Sequence, residues 1–135
     1  MIGLDTNVLV RYLAQDDAKQ SALATALIEQ RLSPSAPGFI SLMVLVELVW
    51  VLKSLYSATP AELLDALQDL ADTPQYRLER REDVLAVLRR FRTLKSTRAG
   101  LADALIAQVA RTEGCAQTLT FDKSAARLSG MTLLA

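Results

Sequence analysis

Apolar residues along this chain fall in short runs whose spacing switches between that of strands and that of helices. Met1–Leu4 is a brief apolar run ending at Asp5-Thr6-Asn7, which predicts a buried strand followed by a turn. Val8–Leu13 predicts a short helix, and Asp16 or Asp17 is placed to cap a second. In that second helix Leu23, Leu27 and Ile28 fall on one face. Leu32–Gly38, with Pro34, Ser35 and Pro37, reads as a loop. Phe39-Ile40 predicts a second strand, and Ser41 a cap for an apolar helix from about Leu42 to Leu55. Thr59-Pro60-Ala61-Glu62 opens a further helix, since proline is preorganised for a first turn, and it fades by Asp72-Thr73-Pro74. Tyr76–Leu78 is a third strand candidate. Helices follow from Glu82 to about Arg92 and from Leu101 to Thr112, the latter closed by Gly114. Gln117–Thr120 and Thr132–Leu134 are strand-like runs around a helical turn near Ser124–Leu128. Short strands alternating with helices predict an α/β sandwich around a mostly parallel sheet. No internal repeat or low-complexity segment breaks the pattern, so one domain is expected over 1–135.

Composition narrows the chemistry. Hydrophobic residues make up 51% of the 135 positions, which excludes a disordered chain. Glu47 and Lys53 interrupt the longest apolar run, leaving no stretch able to span a bilayer. The start Met-Ile-Gly-Leu-Asp lacks the basic and apolar segments of a signal peptide, so a cytoplasmic protein is expected. Cys115 is the single cysteine, which excludes an intrachain disulfide and a multi-cysteine zinc site. The chain contains no histidine, and every mechanism built on imidazole is thereby excluded. With formal net charge zero, attraction to nucleic acid must come from local patches.

Four carboxylates stand where a carboxylate calls for a reason. Asp5 ends the first strand, where ligand sites form in parallel α/β sheets, although capping of the next helix explains it equally well. Glu47 is the one charged residue in Leu42–Leu52, with Met43, Val44, Trp50 and Val51 as its same-face neighbours. In an apolar setting it needs a partner, a cation or a cleft. The plainer alternative is an apolar dimer surface with a glutamate at its edge. Asp103, in Ala102-Asp103-Ala104, lies near a helix start, and Asp122 follows a strand through Phe121; capping explains both. Taken together, Asp5 and Asp122 are expected at one carboxyl edge of a single sheet, with Glu47 and Asp103 able to lean over it. An all-oxygen cluster of this kind suits Mg2+ or Mn2+ rather than zinc.

Asp5-Thr6-Asn7-Val8-Leu9, the Val-x-Glu-Leu helix around Glu47, Ala102-Asp103-Ala104-Leu105-Ile106-Ala107 and Thr120-Phe121-Asp122 together resemble the ordered signature of PIN domains. The match is nearest to the VapC-type toxins of bacterial toxin–antitoxin pairs and covers essentially the whole chain. The resemblance implies a three-layer α/β/α sandwich with a central, mostly parallel sheet of four or five short strands. It also implies an acidic pocket for Mg2+ or Mn2+ formed by Asp5, Glu47, Asp103 and Asp122, with Asn7, Thr120 and Thr6 in support. RNA cleavage, a homodimer and silencing by a cognate antitoxin are the expected activity and partners, with no membrane association. Two positions depart from the pattern: Leu101 replaces an aromatic often seen there, and Gly100 a further acidic residue.

For such a site Asp5, Asp103 and Asp122 are the expected metal ligands, and Glu47 completes the set or orients the attacking water. Asn7 and Thr120 are expected to hold the ligand carboxylates or contact the phosphate. Arg89, Arg90, Arg92, Lys95 and Arg98 form a basic run without an acid, a candidate track for the RNA backbone or simply a solvated helix end. Two other classes compete. An aspartate-dependent phosphatase would need a second aspartate two residues after Asp5, where Asn7 stands. A catalytically silent PIN-like module binding RNA or protein would keep the pocket and lose turnover.

Overall fold

Ile2–Gly3 (β1) pairs in parallel with Gly38–Ile40 (β2), and β2 in parallel with Tyr76–Leu78 (β3), in a computed structural model that describes residues 1–94 and 100–134. The three strands form one sheet in the order β1-β2-β3. Ile2 opposes Gly38, and Gly38 opposes Tyr76. Flanking amides extend each short ladder: Leu4 N–H donates to Phe39 C=O at 2.9 Å, and Glu79 N–H to Ile40 C=O at 2.9 Å. Parallel pairing requires crossovers. Here they are the helices Thr6–Ala14 (α1), Ala18–Ala26 (α2), Leu42–Leu55 (α3) and Pro60–Asp72 (α4).

Gly38 sets the register at the centre of this sheet. A Cβ there would lie 2.6 Å from Leu4 Cδ1 and 2.9 Å from Leu32 Cδ1, inside van der Waals contact with two buried leucines. Leu4 packs over the bare backbone of β2, and the next residue, Asp5, emerges beyond the strand.

The helix starts follow the residues expected to make them. Asp17 caps α2 by accepting from Gln20 N–H at 2.8 Å, and Ser41 caps α3 by accepting from Val44 N–H at 3.2 Å. Thr59 and Glu62 form a reciprocal capping box at the start of α4, and the hydrogen bond from Thr59 N–H holds the Glu62 carboxyl below its ordinary pKa. Leu9, Ile40, Leu45, Leu48 and Leu67 are fully buried. At the end of α1, Arg11 pairs with Asp16 at 3.0 Å while the Tyr56 hydroxyl donates to the same carboxylate at 2.6 Å.

The expected face of α2 is not the one buried. Leu23 is 64% exposed, and the residues buried are Ser21, Ala24 and Ile28. Ser21, Ala24 and Ile28 repeat at i, i+3 and i+7 along one helical face, and Leu23 lies on the opposite side.

The chain divides into two compact units, Met1–Arg81 and Glu82–Ala135. The second contains helices Arg81–Thr93 (α5, from its second residue), Leu101–Thr112 (α6) and Lys123–Leu128 (α7), and the parallel strands Leu119–Thr120 (β4) and Thr132–Leu133 (β5). Gly114, at φ 100°, ends α6, with Cys115 N–H donating to Ala110 C=O at 2.9 Å. All strand pairings among the named strands are parallel, as expected. The single sheet of four or five strands is not found: the strands form a sheet of three and a sheet of two. Among the described residues no helix is long and apolar enough to cross a membrane.

Gly38→Ala tests the packing of Leu4 on β2. The added methyl is expected to cost about 1–3 kcal/mol through overpacking, read as a lower urea midpoint at an unchanged slope. An unchanged midpoint would show that Leu4 and Leu32 shift freely.

Candidate functional site

In the first unit, Asp5 lies between the end of β1 and the start of α1 and serves as the N-cap of that helix. Its Oδ1 accepts from Thr6 N–H at 2.9 Å, and its backbone carbonyl accepts from Val8 N–H at 3.1 Å. Among the described residues, Oδ2 accepts no hydrogen bond. Strand end and helix cap, the two readings of Asp5, are thus one arrangement: a carboxylate held at a helix N-terminus, in a favourable dipole, with an oxygen left over.

Thr6 is 2% exposed, and its Oγ1 is the one buried side-chain oxygen without a hydrogen-bond partner among the described residues. A buried hydroxyl in that state costs free energy. It sits directly beside the cap residue. Asn7, next in line, is exposed in the first turn of α1.

Glu47 is exposed on α3, between Met43 at 82% and Trp50 at 61% exposure. The buried side of α3 is formed by Leu45, Leu48 and Val49, so Glu47 projects from the opposite face and remains solvated. The structure leaves open an apolar face with a glutamate on it.

In the second unit, Asp122 caps α7, its Oδ1 accepting from Ser124 N–H at 2.8 Å and from Ala125 N–H at 3.1 Å. Thr120 at the end of β4 accepts from Asp122 N–H through Oγ1 at 3.0 Å, which fixes the turn that presents the carboxylate. Thr120 thus holds the backbone of Asp122 and not its carboxylate. Asp103, half-buried, lies in the first turn of α6 behind the N-cap Gly100. A Cβ on Gly100 would meet Asp103 Oδ2 at 3.2 Å, so the glycine gives that carboxylate room where a larger residue would press on it.

Asp5 and Glu47 therefore belong to the first unit, and Asp103 and Asp122 to the second. Among the described residues no group of three or more carboxylate or cysteine side chains is gathered as a metal site. The expectation that Asp5 and Asp122 share the edge of one sheet fails with that sheet, since β1 and β4 belong to different ones.

Of the basic run, Arg89, Arg90 and Arg92 are exposed near the end of α5, and Lys95 and Arg98 lie outside the described residues. Sequence reasoning missed Asp83, 7% exposed in the first turn of α5. Its Oδ1 accepts from Thr112 Oγ1 at 2.6 Å and from Gln108 Nε2 at 3.1 Å, which joins the start of α5 to the end of α6. An aspartate in a first helical turn carries no signal of burial, because the same position suits a solvated one.

A family model described as PIN domain matches residues 2–131. No curated protein and no solved structure gives a match.

Thr6→Val is expected to raise stability by about 1 kcal/mol in chelator-treated protein, because it removes a buried hydroxyl that has no partner. Urea unfolding measures it. A clear loss of stability would show that the hydroxyl is satisfied.

Proposed function

This chain belongs to the PIN-domain family, and from that premise we propose that it is an Mg2+- or Mn2+-dependent endoribonuclease of the VapC toxin type. The observation that carries the reading is a single family match running through all four carboxylates, two of which stand where a strand hands over to a helix. One match over residues 2–131 also supports reading both units as a single PIN-like domain, a three-layer α/β/α sandwich.

The donor set suits the ion in kind. Asp5, Glu47, Asp103 and Asp122 offer oxygen only, the preference of a hard divalent cation. The unpartnered Thr6 hydroxyl beside Asp5 adds a polar group in want of a partner. Asp5, Asp103 and Asp122 would hold the metal, with Glu47 completing the set. When bound, the ion supplies acidification of water and neutralisation of charge on the phosphate.

The chain's own groups do the rest. Thr6 N–H binds Oδ1 of Asp5, and the amides of Ser124 and Ala125 bind Oδ1 of Asp122, which leaves Oδ2 of each carboxylate for a cation. Thr120 Oγ1 holds the Asp122 turn, and Asn7 stands beside Asp5 to contact the phosphate or its neighbouring carboxylate. Glu47, kept solvated, accepts a hydrogen bond from the attacking water. Hydrolysis adds that water across the P–O3′ bond, leaving a 5′-phosphate and a 3′-hydroxyl. The 2′-hydroxyl takes no part, so preference for RNA arises from fit.

The partners follow from the same reading. The exposed Met43, Trp50 and Leu55 of α3 support a homodimer in which that apolar face is covered. A cognate antitoxin would silence the enzyme in the cytoplasm by offering an arginine or lysine to the acidic pocket. A second reading is a PIN-like module that binds RNA or protein without turnover, since membership of the family carries the fold ahead of the activity.

Cleavage of labelled RNA with Mg2+ or Mn2+, with and without chelator, tests the proposal. Asp5→Asn is expected to lower the rate by at least about 100-fold, and Asn7→Ala by about 10–100-fold, as for groups that orient ligands. Undiminished cutting by Asp5→Asn or in chelator would contradict the metal site, and binding without cutting would favour the second reading.

A further inference from the structure

Two arginines from different helices of the second unit point at one glycine. A Cβ on Gly130 would lie 3.1 Å from Arg90 Nη1 of α5 and 3.1 Å from Arg111 Nη2 of α6. The two guanidinium nitrogens therefore sit within twice that distance of each other, across a backbone with no side chain between them. Gly130 has φ 77°, a conformation that further favours glycine.

Like charges at this range repel, and neither arginine forms an ion pair among the described residues. Each is instead steered by a neutral acceptor. Arg90 Nη2 donates to Leu128 C=O at 3.2 Å, and Arg111 Nη1 donates to Gln108 Oε1 at 3.2 Å. Gln108 is itself oriented from behind, because the buried Asp83 carboxylate accepts from its Nε2 at 3.1 Å. A carboxylate can only accept, so the amide must turn its oxygen towards Arg111. This relay fixes Arg111 without neutralising it.

We propose that Arg90, Arg111 and the bare backbone at Gly130 form a notch for one backbone phosphate of the RNA substrate, with Gln108 and Asp83 as positioning residues. Two convergent guanidiniums match the paired non-bridging oxygens of a phosphodiester, and the missing Cβ leaves room for them. A nucleic-acid phosphate is favoured over an acidic side chain of a protein because Arg90 belongs to the basic run that includes the exposed Arg89 and Arg92. The notch rests on the RNA-cleaving reading for its substrate and not on the acidic residues.

The test uses binding, so that it can fail separately from catalysis. Full-length Asp5→Asn protein is titrated with fluorescent single-stranded RNAs of different sequence over a range of salt. Adding Arg90→Gln and Arg111→Gln together is expected to weaken binding equally for every sequence. It should also reduce the slope of log K against log salt by about 0.7 in total, the value for one phosphate on a single strand. Gln108→Leu, which keeps both charges but frees Arg111, is expected to weaken binding less than the double change does. Unfolding midpoints of the variants are measured alongside, and Arg90→Lys with Arg111→Lys serves as the charge-preserving control if the glutamine pair is poorly folded. With the lysines, the slope should be kept while affinity falls. An unchanged slope in the glutamine pair overturns the notch, as does a reduction of twice the expected size, which would mean two independent contacts. Binding of inorganic phosphate alone, or of an acidic peptide, with RNA binding unaffected by the glutamine pair also overturns it. If wild-type protein cuts no RNA while the slope falls as expected, the notch stands and the nuclease reading fails.

Discussion

Leu4 rests on a backbone that has no side chain, and much of the first unit depends on that contact. With no side chain on Gly38, Leu4 and Leu32 both fill the space over the central strand. Once Leu4 is buried there, its amide is committed to Phe39 C=O and the chain must leave the strand at Asp5. The start of α1 then follows, because a carboxylate at that point accepts from the first helical amide. One steric constraint thus converts an apolar run of four residues into a placed carboxylate.

The second unit reaches a similar result by polar means. Asp122 is held by two amides of α7 and by the Thr120 hydroxyl on its own N–H, and Asp103 has room because Gly100 carries no Cβ. In both units a strand or loop gives way to a helix, and the helix N-terminus stabilises the acid. The arrangement reconciles capping with chemistry: a cap uses one oxygen of a carboxylate, and a cation needs the other.

Elements whose signals are local were legible in the chain. Ser41, Asp17 and the Thr59-Pro60-Ala61-Glu62 start announce their helices because the capping atoms lie within three residues of the amides they bind. Features that depend on distant partners were not. Ile28 is buried and Leu23 is not, because the buried face runs through Ser21, Ala24 and Ile28, and three apolar residues alone do not tell which side of a helix is covered. The apolar neighbours of Glu47 show which face it shares and not whether anything covers that face. Splitting of the strands into two sheets is likewise a matter of pairing between segments far apart in sequence. The family was readable from the order of short motifs along the chain, and the family match over 2–131 agrees with it. The orphaned hydroxyl of Thr6, the burial of Asp83 and the convergence of Arg90 with Arg111 were not, because each is a relation in space.

The most direct measurement of the central claim is the chemistry of the ends left on cleaved RNA. Water as nucleophile, with carboxylates and a divalent cation in place of histidine, predicts 5′-phosphate and 3′-hydroxyl ends at every cut. Fragments bearing 2′,3′-cyclic phosphate would mean that the neighbouring 2′-hydroxyl attacks, and would contradict the account.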